Sequence, residues 1–84
     1  MRSPRFTWDP AKNRLNLAKH GIAFEDVVSM FDGPRAERQD DRFDYGEIRN
    51  VAIGLANGHE TTVIYTVNDD GQIRIISAWR SIEG

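Results

Sequence analysis

Residues 48–68 read IRNVAIGLANGHETTVIYTVN, and the dipeptide at their centre, Asn57-Gly58, decides the architecture. Asn and Gly are the residues that tolerate two successive positive φ angles, which a two-residue type I′ hairpin requires. The flanking runs, Ile48 to Ala56 and Glu60 to Asn68, are rich in β-branched and aromatic residues and read as paired strands. Asp69-Asp70-Gly71 turns the chain again into a third strand, Gln72 to Arg80. Counting register from the Asn-Gly turn divides the strands into two faces. Val51, Ile53, Leu55, Ile64, Ile73, Ile75 and Trp79 fall on one, the face expected to lie under helices. Asn50, Tyr65, Arg74 and Arg80 fall on the other, beside the small Ala52, Gly54 and Ala78. Strict alternation puts Arg49 on the apolar face. Either it lies at the strand's open end or a bulge, for which Gly54 is a candidate site, turns it over.

Upstream of the hairpin the period changes. Arg5-Phe6-Thr7-Trp8 alternates as a short strand. Asp9-Pro10 then opens a helix, because Asp caps free N–H groups and proline costs nothing at the first helical position. Ala11, Leu15, Ala18 and Ile22 repeat at helical spacing, and Leu17 widens the stripe. Lys19-His20-Gly21 closes the helix with two cations at the negative end of its dipole and a residue able to take positive φ. Phe24, Val27, Val28 and Phe31 fit a second helix, with Glu25 and Asp26 in its first turn. Asp32-Gly33-Pro34 ends it. Arg35 to Asp40 is polar throughout and can serve only as an edge strand. Asp41 to Gly46 reads as a mobile acidic loop. The fold class is therefore α+β: a short N-terminal strand, two helices, then an antiparallel sheet of three to four strands, all in one domain spanning residues 1–84.

Composition narrows the function classes. A chain of 84 residues buries only about 60% or slightly more of its unfolded surface, and such a core rarely supplies more than roughly 3–5 kcal/mol net. With no cysteine, neither disulfides nor thiolate metal sites can staple it, which fits a reducing compartment and leaves a partner subunit as the expected support. The N-terminal MRSPRFTWDP has no apolar h-region, and no run approaches the ~18 apolar residues of a membrane span. The expectation is a cytoplasmic protein without membrane contact. The net charge of −2 is uneven. Residues 1–31 carry five basic and three acidic groups, residues 32–47 three and six, and residues 48–84 three and four. Phosphate binding needs a local positive surface rather than a positive total, and the first segment can supply one.

No metal signature is present. His20 and His59 lie on different elements, without HExxH or paired-carboxylate spacing. No glycine-rich phosphate loop joins a strand to a helix, and no serine sits in a nucleophile elbow. What remains is a set suited to phosphodiester chemistry without metal or cofactor: Lys19, His20, Arg49, Tyr65, Arg74 and Arg80. Cleaving RNA through its own 2′-OH requires a proton taken from that hydroxyl, a proton given to the leaving 5′-oxygen, and cations at the phosphate. Trp8, Trp79 and Tyr65 are the side chains able to stack unpaired bases. Each has a plainer reading as well: Lys19 and His20 as helix-end cations, Trp8 and Trp79 as packing residues, and His59 as an exposed residue after a turn.

Taken in order, Phe6-x-Trp8-Asp9-x-x-Lys12, Asn16-Leu17-x-Lys19-His20-Gly21-Ile22-x-Phe24-Glu25-Asp26, Gly46-Glu47-x-Arg49, Ile53-Gly54 and Ile73-Arg74-Ile75-Ile76-Ser77-Ala78 resemble the BrnT family of type II toxins. The resemblance runs from Phe6 to about Arg80. It implies a RelE-like fold and a metal-independent endoribonuclease that inhibits translation. It also implies a hetero-oligomer with a cognate, BrnA-like, DNA-binding antitoxin. Carried over by position, it marks Lys19, His20, Arg49, Arg74 and Arg80 as catalytic, with Lys19 and His20 competing for the proton. Trp8, Tyr65 and Lys12 become the substrate-binding set. Two departures stand out. Trp79 occupies a position where family members often carry the first of two arginines, and the sequence reads Ile82-Glu83-Gly84 where they usually continue into a basic helix. A weakened or inactive member that only docks an antitoxin or nucleic acid is the alternative.

Overall fold

The Asn57-Gly58 turn forms as its composition demands, with φ of 52° and 83°. In the computed structural model the described residues are 6–40 and 46–81, so most of the acidic stretch at Asp41 to Gly46 lies outside them. The turn joins β3 (Arg49–Ala56) to β4 (His59–Val67), and β5 (Ile73–Arg80) returns antiparallel to β4. The charged segment Arg35–Asp40 is a strand, β2, and pairs with β3 as an edge. A two-residue strand, β1 (Phe6–Thr7), adds to β5 in parallel. The sheet therefore has five strands in the order β1-β5-β4-β3-β2 and is mixed. Its four antiparallel strands, β2 to β5, are the three to four expected, with the charge-rich β2 as the edge, and the short N-terminal strand adds the one parallel pairing.

The first helix, α1 (Pro10–His20), starts where expected. The Ala11 N–H donates to the Asp9 carboxylate at 2.9 Å, and Gly21, at φ 75°, donates back to the Leu17 carbonyl. Its docking differs from the apolar stripe. Leu15 and Leu17 are 70% and 50% exposed, and the buried residue of the helix is Asn16. The second helical segment, Phe24–Asp32, is a 3₁₀ helix rather than an α-helix. Its buried residues are Phe24, Val27 and Met30, three apart, and a three-residue turn stacks them on one line. Asn13 fixes its start: its side-chain oxygen accepts from the Phe24 N–H at 2.8 Å and its amide donates to Glu25 at 3.1 Å.

In β3 and β4 the face of the sheet beneath this segment is the reverse of the one expected, whereas Ile73 and Ile75 of β5 lie on it as expected. Ala52, Ala56, Val63, Tyr65, Ile75 and Ala78 form the core with Ile22, Phe24, Val27 and Met30. Leu55, on the face expected to be covered, is 64% exposed. The small residues make the floor that lets the 3₁₀ segment approach: a Cβ at Gly54 would lie 3.5 Å from the Met30 methyl and 3.1 Å from Arg35 Cβ. A second difference follows from a bulge. It falls in β5 rather than at Gly54, since Ile64 pairs with Ser77 while Tyr65 pairs with Ile75, leaving Ile76 as the extra residue. One inserted residue reverses the alternation beyond it. Arg74 thereby shares the open face with its partner Thr66, whereas Arg80, opposite Thr61, shares the covered face.

Candidate active site at the outer edge of the sheet

Past the end of β1, the outer edge of β5 has no strand partner among the described residues, and α1 lies along it. The Asn16 amide replaces the missing strand. Its nitrogen donates to the Ala78 and Ile22 carbonyls, both at 2.9 Å, and its oxygen accepts from the Ala78 N–H at 3.2 Å. An edge left with free N–H and C=O groups would invite pairing with another chain. This buried amide closes the edge and fixes the last two turns of α1 against β5.

The closure sets a group of cations around the strand. Lys12, Leu15, Asn16, Lys19 and His20 of α1 line a hollow of about 190 Å³ with Ile76 and Ser77. The bulged Ile76 thus forms its floor. The His20 ring lies 6.1 Å from that of Trp79. Arg74 lies on the same open face, two residues before Ile76. Arg49 is on that face as well, one residue from Asn50, which pairs with Tyr65 next to Thr66. Its guanidinium binds Glu47 at 3.2 Å. Lys12, Lys19, Arg74 and Arg80 make no hydrogen bond or ion pair with other described residues. Of these, Lys12 and Lys19 line this hollow, and unpaired cations beside a phosphodiester can stabilise its developing charge.

The remaining expected site residues lie elsewhere. Arg80 lines a separate hollow of about 60 Å³ with Gly21, Ile22, Asp26, Ala56, Asn57, His59 and Thr61. Trp8 stands edge-on to Phe24, centroids 6.0 Å apart, and packs against the core. Tyr65 is buried in that core. Its hydroxyl donates to Glu37 at 2.5 Å and its ring meets Phe31 edge-on at 5.2 Å. Burial first, and then the bond to Glu37, push the phenol up to about 12. The same bond holds the Glu37 carboxyl below its ordinary value, with Arg35 adding to the effect. Asn16 is the residue whose role sequence reasoning missed. Its only signal is a polar side chain at a helical position flanked by two leucines that prove exposed.

A more voluminous hollow, about 610 Å³, is bordered by Glu47, Ile48, Asn50, Thr66, Val67, Asn68 and Asp69. Its charged groups are acidic, so a phosphate would meet like charge there, and size does not make it the site. Among the described residues no three His, Asp or Glu side chains gather as a metal cluster. No helix among the described residues is long and apolar enough to cross a membrane.

The chain is a small α+β domain with a cation-lined hollow at the edge of its sheet. Two comparisons place it more narrowly. The crystal structure of the Brucella abortus ribonuclease toxin BrnT is similar, with a TM-score of 0.73 and 25% sequence identity, over 96% of this chain and 100% of that one. The family described as the ribonuclease toxin BrnT of type II toxin–antitoxin systems matches residues 8–83, and the chain belongs to that family. The search of curated proteins found no match.

Proposed function

We propose that the chain is a metal-independent endoribonuclease that arrests translation in the cytoplasm by cutting RNA at the hollow between α1 and β5. The observation that carries this reading is the convergence of Lys12, Lys19 and His20 on Ile76 and Ser77, with Arg74 on the adjoining face. The substrate's 2′-OH attacks the adjacent phosphorus as the P–O5′ bond breaks, leaving a 2′,3′-cyclic phosphate; Lys19 or His20 carries the proton, and the leaving 5′-oxygen ends as a hydroxyl. Arg74 and Arg49 hold the phosphate and stabilise its developing charge, and Lys12 steers the backbone. Tyr65 contributes as a support of the sheet, since its phenol is committed to Glu37. Trp8 serves by holding β1 and α1 to the core.

Membership of a type II toxin family implies an antitoxin. We assign its cover to the same edge, where Leu15, 70% exposed, lines the hollow with Lys19 and offers an apolar grip next to the cations. A second reading, a binding module with weakened catalysis, is favoured by Trp79, which supplies an aromatic ring beside His20 where family relatives often carry a cation.

The test uses the purified chain, RNA and EDTA, with Lys19→Ala, His20→Ala and Arg74→Ala alongside. Removing the proton carrier is expected to lower cleavage about 10²–10⁴-fold, and Arg74→Ala about 10²–10³-fold. Intact RNA with the wild type, or equal cutting by all variants, refutes the nuclease. Tight RNA binding without cutting selects the binding module.

A further inference from the structure

We propose that Arg80 and His59 form a second phosphate subsite, so that the toxin takes a single-stranded RNA whose backbone passes from the α1 hollow, over the His20–Trp79 ridge, into theirs. The inference rests on the ribonuclease reading and extends it to residues outside the reacting hollow.

The two hollows are contiguous along the chain. The larger ends at His20 and the smaller begins at Gly21. On the strand side the step is equally short, since Trp79 beside His20 is followed directly by Arg80. The two tilted rings lie 6.1 Å apart, each one residue before a residue of the smaller hollow, Gly21 and Arg80. Trp79 falls on the open face and Arg80 on the covered one, so the path turns around the end of β5. A single strand can follow that turn and stack a base on the exposed part of the ridge. An A-form duplex, with its bases paired, cannot.

The smaller hollow is suited to a backbone group rather than a base. Its volume, about 60 Å³, is a third of its neighbour's 190 Å³. His59 and Arg80 reach it from adjacent strands. Arg80 pairs with Thr61, two residues from His59 and therefore on the same face. The Thr61 hydroxyl, on a buried residue, donates to the His59 carbonyl at 2.9 Å and anchors the strand there. Asp26 also borders the hollow but makes no ion pair with Arg80. The guanidinium thus keeps its donors for a phosphate, which arginine recognises with two parallel hydrogen bonds. His59 adds a ring N–H in either tautomer.

The test is binding of fluorescein-labelled, 2′-O-methyl RNA, which cannot be cut, as a dinucleotide and as a hexanucleotide, by anisotropy across a salt series. Arg80→Ala is expected to weaken the hexanucleotide about tenfold and to reduce its logarithmic salt slope by about 0.7, one phosphate contact on a single strand. His59→Ala weakens the hexanucleotide several-fold. Both leave the dinucleotide within twofold, whereas Lys19→Ala weakens both lengths. A wild type that binds neither RNA refutes the nuclease reading itself. Wild-type binding with equal losses on both lengths, or with no loss in either variant, overturns the second subsite alone. So does a loss confined to antitoxin affinity, which makes the hollow a protein contact.

Discussion

Asn16 should be the most sensitive polar position of the fold. Replacing it with alanine removes three hydrogen bonds to backbone groups of Ala78 and Ile22. Those two residues are 0% and 7% exposed, so water does not easily replace the amide. Each bond contributes about 1 kcal/mol net, and an orphaned buried donor such as the Ala78 N–H costs about 1–3 kcal/mol. Together these give roughly 4–6 kcal/mol, as much as the whole net stability available to a core of this size. At about 4–8 °C per kcal/mol, Asn16→Ala should melt at least ~16 °C below the wild type or fail to fold at 37 °C. Asn16→Asp isolates the reason. Its carboxylate still accepts from the Ala78 N–H, but its second oxygen then faces two carbonyls it cannot donate to. Protonation restores one donor, so its folded pKa must rise above the ~3.9 of a free Asp. A raised folded pKa gives stability that is present at low pH and is lost as pH rises through it. Asn16→Asp should therefore gain on the wild type in urea denaturation, followed by Trp8 and Trp79 fluorescence, as pH falls from 7 to 4. Wild-type stability for Asn16→Ala, or no relative gain for Asn16→Asp in acid, would refute the latch.

Three further outcomes follow from other parts of the fold. Gly54→Ala places a Cβ 3.1 Å from Arg35 Cβ and 3.3 Å from the Pro34 carbonyl, so it should cost about 1–3 kcal/mol by overpacking, read as a lower urea midpoint. Gly21→Ala forces a side chain to φ 75° with open space around it, and should cost about 1–2 kcal/mol from backbone strain alone. Tyr65, raised to about 12, supports the fold below its free value near 10 and loses that contribution as pH climbs toward 12. Glu37, lowered chiefly by the same bond, contributes above its free value and loses it in acid. Tyr65→Phe should flatten both limbs of the stability–pH profile, with absorbance at 295 nm losing its late alkaline step.

Much of the fold was legible because local chemistry dictates it. Asn57-Gly58 has few alternatives to a type I′ turn, and Asp9-Pro10 and Lys19-His20-Gly21 mark both ends of α1 by capping groups alone. The 3₁₀ segment was less legible, since Phe24, Val27, Val28 and Phe31 suit either helix type. Only contact with the sheet selects the three-residue stack of Phe24, Val27 and Met30. Counting apolar residues also chose the wrong face of β3 and β4. A face already carrying Val51, Ile53, Leu55 and Ile64 is filled by its own branched side chains. One carrying Ala52, Gly54, Ala56 and Ala78 leaves room for Phe24 and Met30 to enter, and close packing rewards that complementarity of volume. The helical segment supplies the large residues and the sheet the small ones, so the pair had to be read together.

The site was half legible for a related reason. Residue types gave the cations, and the helix end gave Lys19 and His20 their place. Which cations meet depends on a single residue, Ile76, whose insertion into β5 leaves no mark in composition or periodicity. Without it, Arg74 and Arg80, six positions apart, would share one face and a phosphate could touch both. With it they part, Arg74 to the open face and Arg80 to the covered one, and the extra residue itself becomes the floor between Lys12 and Lys19. The bulge thus converts one broad basic patch into two smaller sites on either side of a strand end. A chain-like polyanion can span such a pair by bending, and a compact one cannot. The path proposed for unpaired RNA rests on that geometry more than on the number of positive charges.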